Sequence, residues 1–331
     1  MDVQLYRAAE RLAAEDPADA HWRQPLYTWA TEPPEGDLLA RMLRRGLLAV
    51  AALLFGSGLI FWMAANWQDW SRSAKLGLIE GALIALLAAA CLLPRVRNAA
   101  LLGAMLVLGG LLAFIGQTYQ TGADAWQLFA AWAGLSLLWV LTARSDLLWT
   151  TWVAVAALAL ALWTGPIGLL GWFSYEEHHG GVAVLTMLAW LALGLVPMLV
   201  ASLPWLRLAS GLGRWSHRLA VGLALAAWAG LGSAGIFMMD SLSVAWPVAA
   251  VLVAGVLWMS LRSRWRDLPS LALAMLAANV LFMALATRVL FQDDYEVGAL
   301  LLLGLLGMAC LGGSATWLLR QQHAWNQGAQ A

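Results

Sequence analysis

Residues 99–116 read AALLGAMLVLGGLLAFIG, eighteen positions without a charged, amide or hydroxyl side chain. A helix over this stretch is apolar on every face. At 1.5 Å per residue it is about 27 Å long, close to the roughly 30 Å hydrocarbon core of a bilayer. It is too long and too unbroken for the roughly 10-residue alternating strand of a membrane barrel, so a transmembrane helix is predicted. Working outward, nine further runs of the same kind lie at approximately 46–65, 76–93, 126–142, 147–163, 182–201, 219–239, 244–261, 268–286 and 298–319. The composition agrees. Of 331 residues 62% are apolar and 11% charged, against about 25% charged in soluble domains; the 21 Trp and 31 Gly suit lipid as solvent. The predicted fold is an all-α polytopic bundle of ten spans. The tightest connection, Ala143 to Asp146, predicts an antiparallel hairpin of the fourth and fifth spans.

Orientation follows from the basic residues, which resist translocation. One set of loops and helix ends holds Arg41, Arg44, Arg45, Arg95, Arg97, Arg144, Arg207, Arg214, Arg218, Arg262, Arg264, Arg266 and Arg320. The other holds only Arg72, Lys75 and Arg288, a count of thirteen against three. Both termini are therefore expected in the cytoplasm of a bacterial cell whose inner membrane holds the bundle. The outward loops collect Asp69, Asp124, Glu176, Glu177, Asp240, Asp293, Asp294 and Glu296. Acids gather where bases are excluded, and a cation-attracting vestibule is the sharper alternative. The formal net charge is zero, so no global field points to nucleic acid.

Three regions are expected: a cytoplasmic segment and juxtamembrane helix at 1–45, the bundle at 46–319, and a cytoplasmic tail at 320–331. Residues 3–15 show helical spacing up to Pro17, and Trp22, Leu26 and Trp29 form an aromatic piece ahead of Pro33 and Pro34. Asp37 is placed to cap a basic juxtamembrane helix. The segment is too small to bury its own core, so its aromatic stripe packs on the bundle, lies at the headgroups or meets a partner.

The chemistry within the spans is sparse. None of His21, His178, His179, His217 and His323 falls inside a span, nor does any Asp. That argues against buried haem ligation and against intramembrane proteolysis by a Ser–His or two-Asp pair. No phosphate-binding loop, HExxH or dinucleotide fingerprint occurs, so no cofactor and no metal is expected. Cys91 and Cys310 stand alone in apolar runs. Glu176, Glu177, His178 and His179 resemble a soft metal site only if other loops converge on them, because adjacent side chains diverge. Glu80 is the one carboxylate within a span, about 9 Å below the outer interface, where facing lipid is costly; it is expected to turn into the bundle. Asn279, mid-span, is expected to hydrogen-bond another helix.

Polar and aromatic detail concentrates at two outward junctions. The first runs Ala64-Ala65-Asn66-Trp67-Gln68-Asp69-Trp70 toward Lys75. The second runs Gly116-Gln117-Thr118-Tyr119-Gln120 and on to Trp126-Gln127-Leu128-Phe129 and Trp132. Hydrophobicity does not demand Asn-Trp or Gln-x-Tyr-Gln at helix ends. These motifs, behind a small cytoplasmic segment, resemble the prokaryotic membrane-protein family catalogued as domain of unknown function 2157, over about residues 1–145. The resemblance implies an integral membrane protein; it supplies no catalytic residue.

The expected function is non-enzymatic: a scaffold, sensor or partner-binding subunit that contacts membrane lipid and a membrane or periplasmic protein. A secondary transporter or channel for a small solute or ion is the alternative, although such proteins place polar groups on interrupted helices near the midplane. The expected ligand or partner site gathers Asn66, Trp67, Glu80, Gln117, Tyr119, Gln120 and Trp126. There the amides and phenol would solvate the carboxylate while the Trp rings shield it from lipid.

Overall fold

A computed structural model describes residues 36–65, 71–119, 122, 124–164, 180–202, 213–237, 244–262, 266–291 and 297–328. The expectations for residues 1–35, for the Glu176 to His179 loop and for the first junction from Asn66 to Trp70 fall outside the described residues. Ten helices are described and no strand: α1 Gly36–Ala65, α2 Arg72–Leu92, α3 Arg97–Tyr119, α4 Ala125–Ala143, α5 Asp146–Trp163, α6 Gly180–Ser202, α7 Arg214–Phe237, α8 Ala245–Leu261, α9 Leu268–Leu290 and α10 Val297–Gly328. Each covers one predicted run. Seven of them are long and apolar enough to cross a membrane; α1, α6 and α8 contribute the shorter apolar stretches Gly46–Gly58, Val184–Val196 and Ala245–Leu261. The fold is an all-α polytopic bundle, and the protein is a membrane protein.

Two helices exceed their predicted runs by about ten residues. α1 begins at Gly36, so the basic juxtamembrane helix and the first apolar run are continuous. α10 continues through Arg320 to Gly328, since no proline or glycine interrupts residues 314–327.

The helices divide between two compact units, Met1–Gln68 with Leu86–Leu106, and Asp69–Ala85 with Val107–Ala331. In the first unit α1 meets α3 at Gly56, where a Cβ would stand 2.9 Å from Leu106 Cβ. In the second, α7 is the hub, with α5, α6, α8 and α9 packed around it and α10 against α9. Small residues make that crowding feasible, as lipid offers no hydrophobic drive between helices and backbones must approach closely to gain dispersion energy. At Gly232 of α7 a Cβ would come within 2.6 Å of Leu281 and 2.7 Å of Ala249.

The α4–α5 hairpin is present as predicted. Arg144 closes α4 in the left-handed conformation at φ 51°, and α5 starts two residues later and packs back on α4. Indole N–H groups stitch neighbouring helices together. Trp152 of α5 donates to Ala133 O of α4 at 2.8 Å, Trp228 of α7 to Met187 O of α6 at 3.0 Å, and Trp246 of α8 to Leu281 O of α9 at 3.1 Å.

Candidate functional site

Four of the seven residues expected at the outward junctions are described. Gln117 and Tyr119 lie exposed in the last turn of α3, and Trp126 is half-buried in the first turn of α4. Glu80 stands on α2; Asn66, Trp67 and Gln120 lie outside the described residues. Among the described residues no hydrogen bond joins Glu80 to Gln117, Tyr119 or Trp126.

Glu80 differs from its expected direction. It is exposed, whereas its neighbour Ile79 is 2% exposed. Successive residues of a helix diverge by about 100°, so a helix that packs through Ile79 turns Glu80 away. Beside Glu80 the same side of α2 exposes Gly77, Gly81, Ile84 and Ala85, at the three- and four-residue spacings of one helix face. A Cβ at Gly77 or Gly81 would meet nothing within 4 Å. The surface thus carries a carboxyl beside glycine and alanine positions, with Ile84 projecting one turn further on.

Asn279 behaves as expected. Its Nδ2 donates to Ser314 Oγ at 2.9 Å, tying α9 to α10 near mid-span. A cavity of about 510 Å³ opens beside it, between α7, α9 and α10.

At the basic ends of the helices a polar cluster appears that local sequence did not signal. Asp146, at the start of α5, accepts from the backbone N–H groups of Gly213 at 2.9 Å and of Trp215 and Ser216 at 3.1 Å. The carboxylate therefore caps α7 from another helix, where unpaired N–H groups and the helix dipole favour an anion. One turn on, Arg218 donates to Asp267 through Nη2 at 2.7 Å and through Nε at 3.1 Å. Asp267 also caps α9, accepting from Ser270 N at 3.2 Å and Ser270 Oγ at 2.7 Å. Burial disfavours the charged Asp267, yet the hydrogen bonds from Arg218 and Ser270 outweigh it and hold its carboxyl below the usual range. Residues 67 to 70 apart, and 49 apart, meet here. Asp267 ahead of Pro269 is a local helix-start signal; for the pairings themselves the sequence shows only that all of these residues belong to loops or helix ends on one side. At the other ends, Arg288 of α9 donates to Ile236 O near the end of α7.

The cluster ties helices together through satisfied groups and presents no nucleophile–base pair. Among the described residues no three of His, Cys, Asp and Glu gather as metal ligands. No curated protein and no solved structure matches the chain. The family comparison does match, over the segment that carries the two junctions: residues 23–149 are similar to the family described as predicted membrane protein (DUF2157).

Proposed function

We propose that the protein is a non-enzymatic, partner-binding subunit of the bacterial cytoplasmic membrane, a scaffold or sensor with both termini in the cytoplasm. The observation that carries this reading is the exposed face of α2, where Glu80 lies with Gly77, Gly81, Ile84 and Ala85. A carboxyl at that depth is costly against hydrocarbon. Small residues let a second helix approach closely, and an interhelical hydrogen bond then satisfies the carboxyl. The fitting partner is a transmembrane helix with a hydrogen-bonding side chain near its outer end, steadied by the outward amides and Tyr119. In the sequence, the spans hold no acid–base pair to supply chemistry.

A photo-crosslinking residue at Ile84, which is 66% exposed on this side of α2, tests the reading in native membranes. One adduct of fixed mass is expected, weakened by Glu80→Gln, blocked by Gly81→Ile and missing when the probe is at Leu301 of α10. Recovery of the protein alone from both positions, together with solute flux in liposomes, would replace this reading by transport.

A further inference from the structure

The cavity between α7, α9 and α10 has walls of apolar side chains, and its rim residues Phe237, Leu276, Val280 and Leu311 are 46%, 51%, 41% and 56% exposed. It therefore opens sideways, toward lipid. Along α9 it runs from Leu276 to Thr287, eleven residues or about 16 Å, close to one leaflet's half of the roughly 30 Å hydrocarbon core.

Two polar groups mark the end away from mid-span. Ser233 lines the cavity and is 1% exposed, and its hydroxyl has no hydrogen-bond partner. In α7 it lies four residues, about 6 Å, from the final residue Phe237. Arg288 follows the cavity residue Thr287 and is half-buried. Among the described residues its hydrogen bond runs from Nη1 to Ile236 O, and a guanidinium carries five N–H donors. A cation one residue beyond the lining residue Thr287, an unpartnered hydroxyl one turn from the end of α7 and an apolar trough one leaflet long occur in the order in which a phospholipid presents phosphate, ester carbonyl and acyl chain.

We propose that this cavity binds an anionic phospholipid of the leaflet at the Arg288 end. One acyl chain lies along α9, the ester carbonyl accepts from Ser233 and the phosphate pairs with Arg288. The site is separate from the α2 face and independent of any protein partner.

The test uses full-length protein in mild detergent, stripped of lipid, given phosphatidylglycerol or phosphatidylcholine and examined by native mass spectrometry. One tightly held lipid per chain is expected, with phosphatidylglycerol preferred several-fold, because both lipids offer a phosphate to Arg288 but the choline cation of phosphatidylcholine offsets the attraction. Arg288→Gln should abolish the preference yet leave phosphatidylcholine bound. Gly307→Leu should block both, because a Cβ there already meets Met283 Cε at 3.6 Å inside the cavity. Should that variant unfold, Leu311→Trp at the exposed rim does the same task. In bilayers of a Cys91→Ser variant, phosphatidylglycerol should slow alkylation of the cavity residue Cys310 several-fold, and millimolar inorganic phosphate should not. Unchanged lipid retention in the cavity-filling variants, a preference that survives Arg288→Gln, or Cys310 reactivity indifferent to lipid would each overturn the proposal.

Discussion

Asp267 combines two roles that substitutions can separate. Asparagine keeps the ability to cap α9 but loses the charge opposite Arg218, and alanine loses both. Asp267→Ala is expected to cost about 1–3 kcal/mol more than Asp267→Asn, the range of a lost cap with an orphaned polar group, read from thermal unfolding in detergent. The pH dependence has a definite sign. A carboxyl whose folded pKa lies below its unfolded value of about 3.9 stabilises fully above that value and loses the contribution as pH falls through the folded one. Unfolding midpoints of Asp267→Asn and the unaltered protein should therefore stay a fixed interval apart from about pH 5 to 8 and converge below about pH 4. A gap that instead closed near neutrality would point to a different group. Asp146 sets a second constraint, since a Cβ at Gly213 would fall on its carboxylate; Gly213→Ala should lower the midpoint as Asp146→Ala does, and the double variant should show no added loss. The long-range pairings were not legible from local spacing. Asp146 read in the sequence only as part of a tight connection and Arg218 only as a basic residue at a helix end, because a capping carboxylate from another helix leaves no short motif; Asp267 caps its own helix, but nothing local names Arg218, 49 residues away, as its partner.

Helices were the most legible level, for a reason visible in α3, α6 and α8. Each is apolar nearly all round, which marks it as membrane-embedded while concealing which side packs. The same property hid the direction of Glu80. α2 surrounds it with Leu, Ile, Ala and Gly, so only the structure distinguishes the Ile79 side from the Glu80 side. Helix ends were legible where charge or turn chemistry intervened, as at Arg144 to Asp146, and not where polar residues simply continue the helix, as at the end of α10. The hub helix α7 offers a test at this scale. Gly232 sits where a Cβ would come within 2.6 Å of Leu281, whereas a Cβ at Gly230 would meet nothing within 4 Å. Gly232→Ala should destabilise by about 1–3 kcal/mol through overpacking. Gly230→Ala should be neutral or stabilising by up to about 1 kcal/mol, as glycine is the poorer helix former. Equal losses in the two would mean that α7 does not pack on α8 and α9 as observed.

At the scale of the whole molecule, internal contacts and loop charges fix different things. The bonds of Asp146 to Gly213, Trp215 and Ser216, and of Arg218 to Asp267, bring three of the arginine-bearing connections to one end of the second unit. The Arg288 bond to Ile236 joins the opposite ends of α7 and α9. The up-and-down order of α4 to α9 thus rests on contacts, while the end that faces the cytoplasm rests on thirteen basic residues against three. Reporter fusions read that choice directly. A reporter active only in the oxidising periplasm should work when fused after Asp124 and fail after Arg264, and a reporter that fluoresces only in the cytoplasm should behave in the reverse way. Activity of the first reporter only after Arg264 would invert the molecule. Glu80 and the outward amides would then face the cytoplasm, and the lipid cavity would open to the inner leaflet. Converting Arg262, Arg264 and Arg266 together to Gln is the quantitative companion. It removes three of the thirteen charges and leaves ten against three, so the topology should hold by the same rule. A topology that flips on this change alone would show that α8 and α9 set the orientation, rather than the bias summed over all the loops.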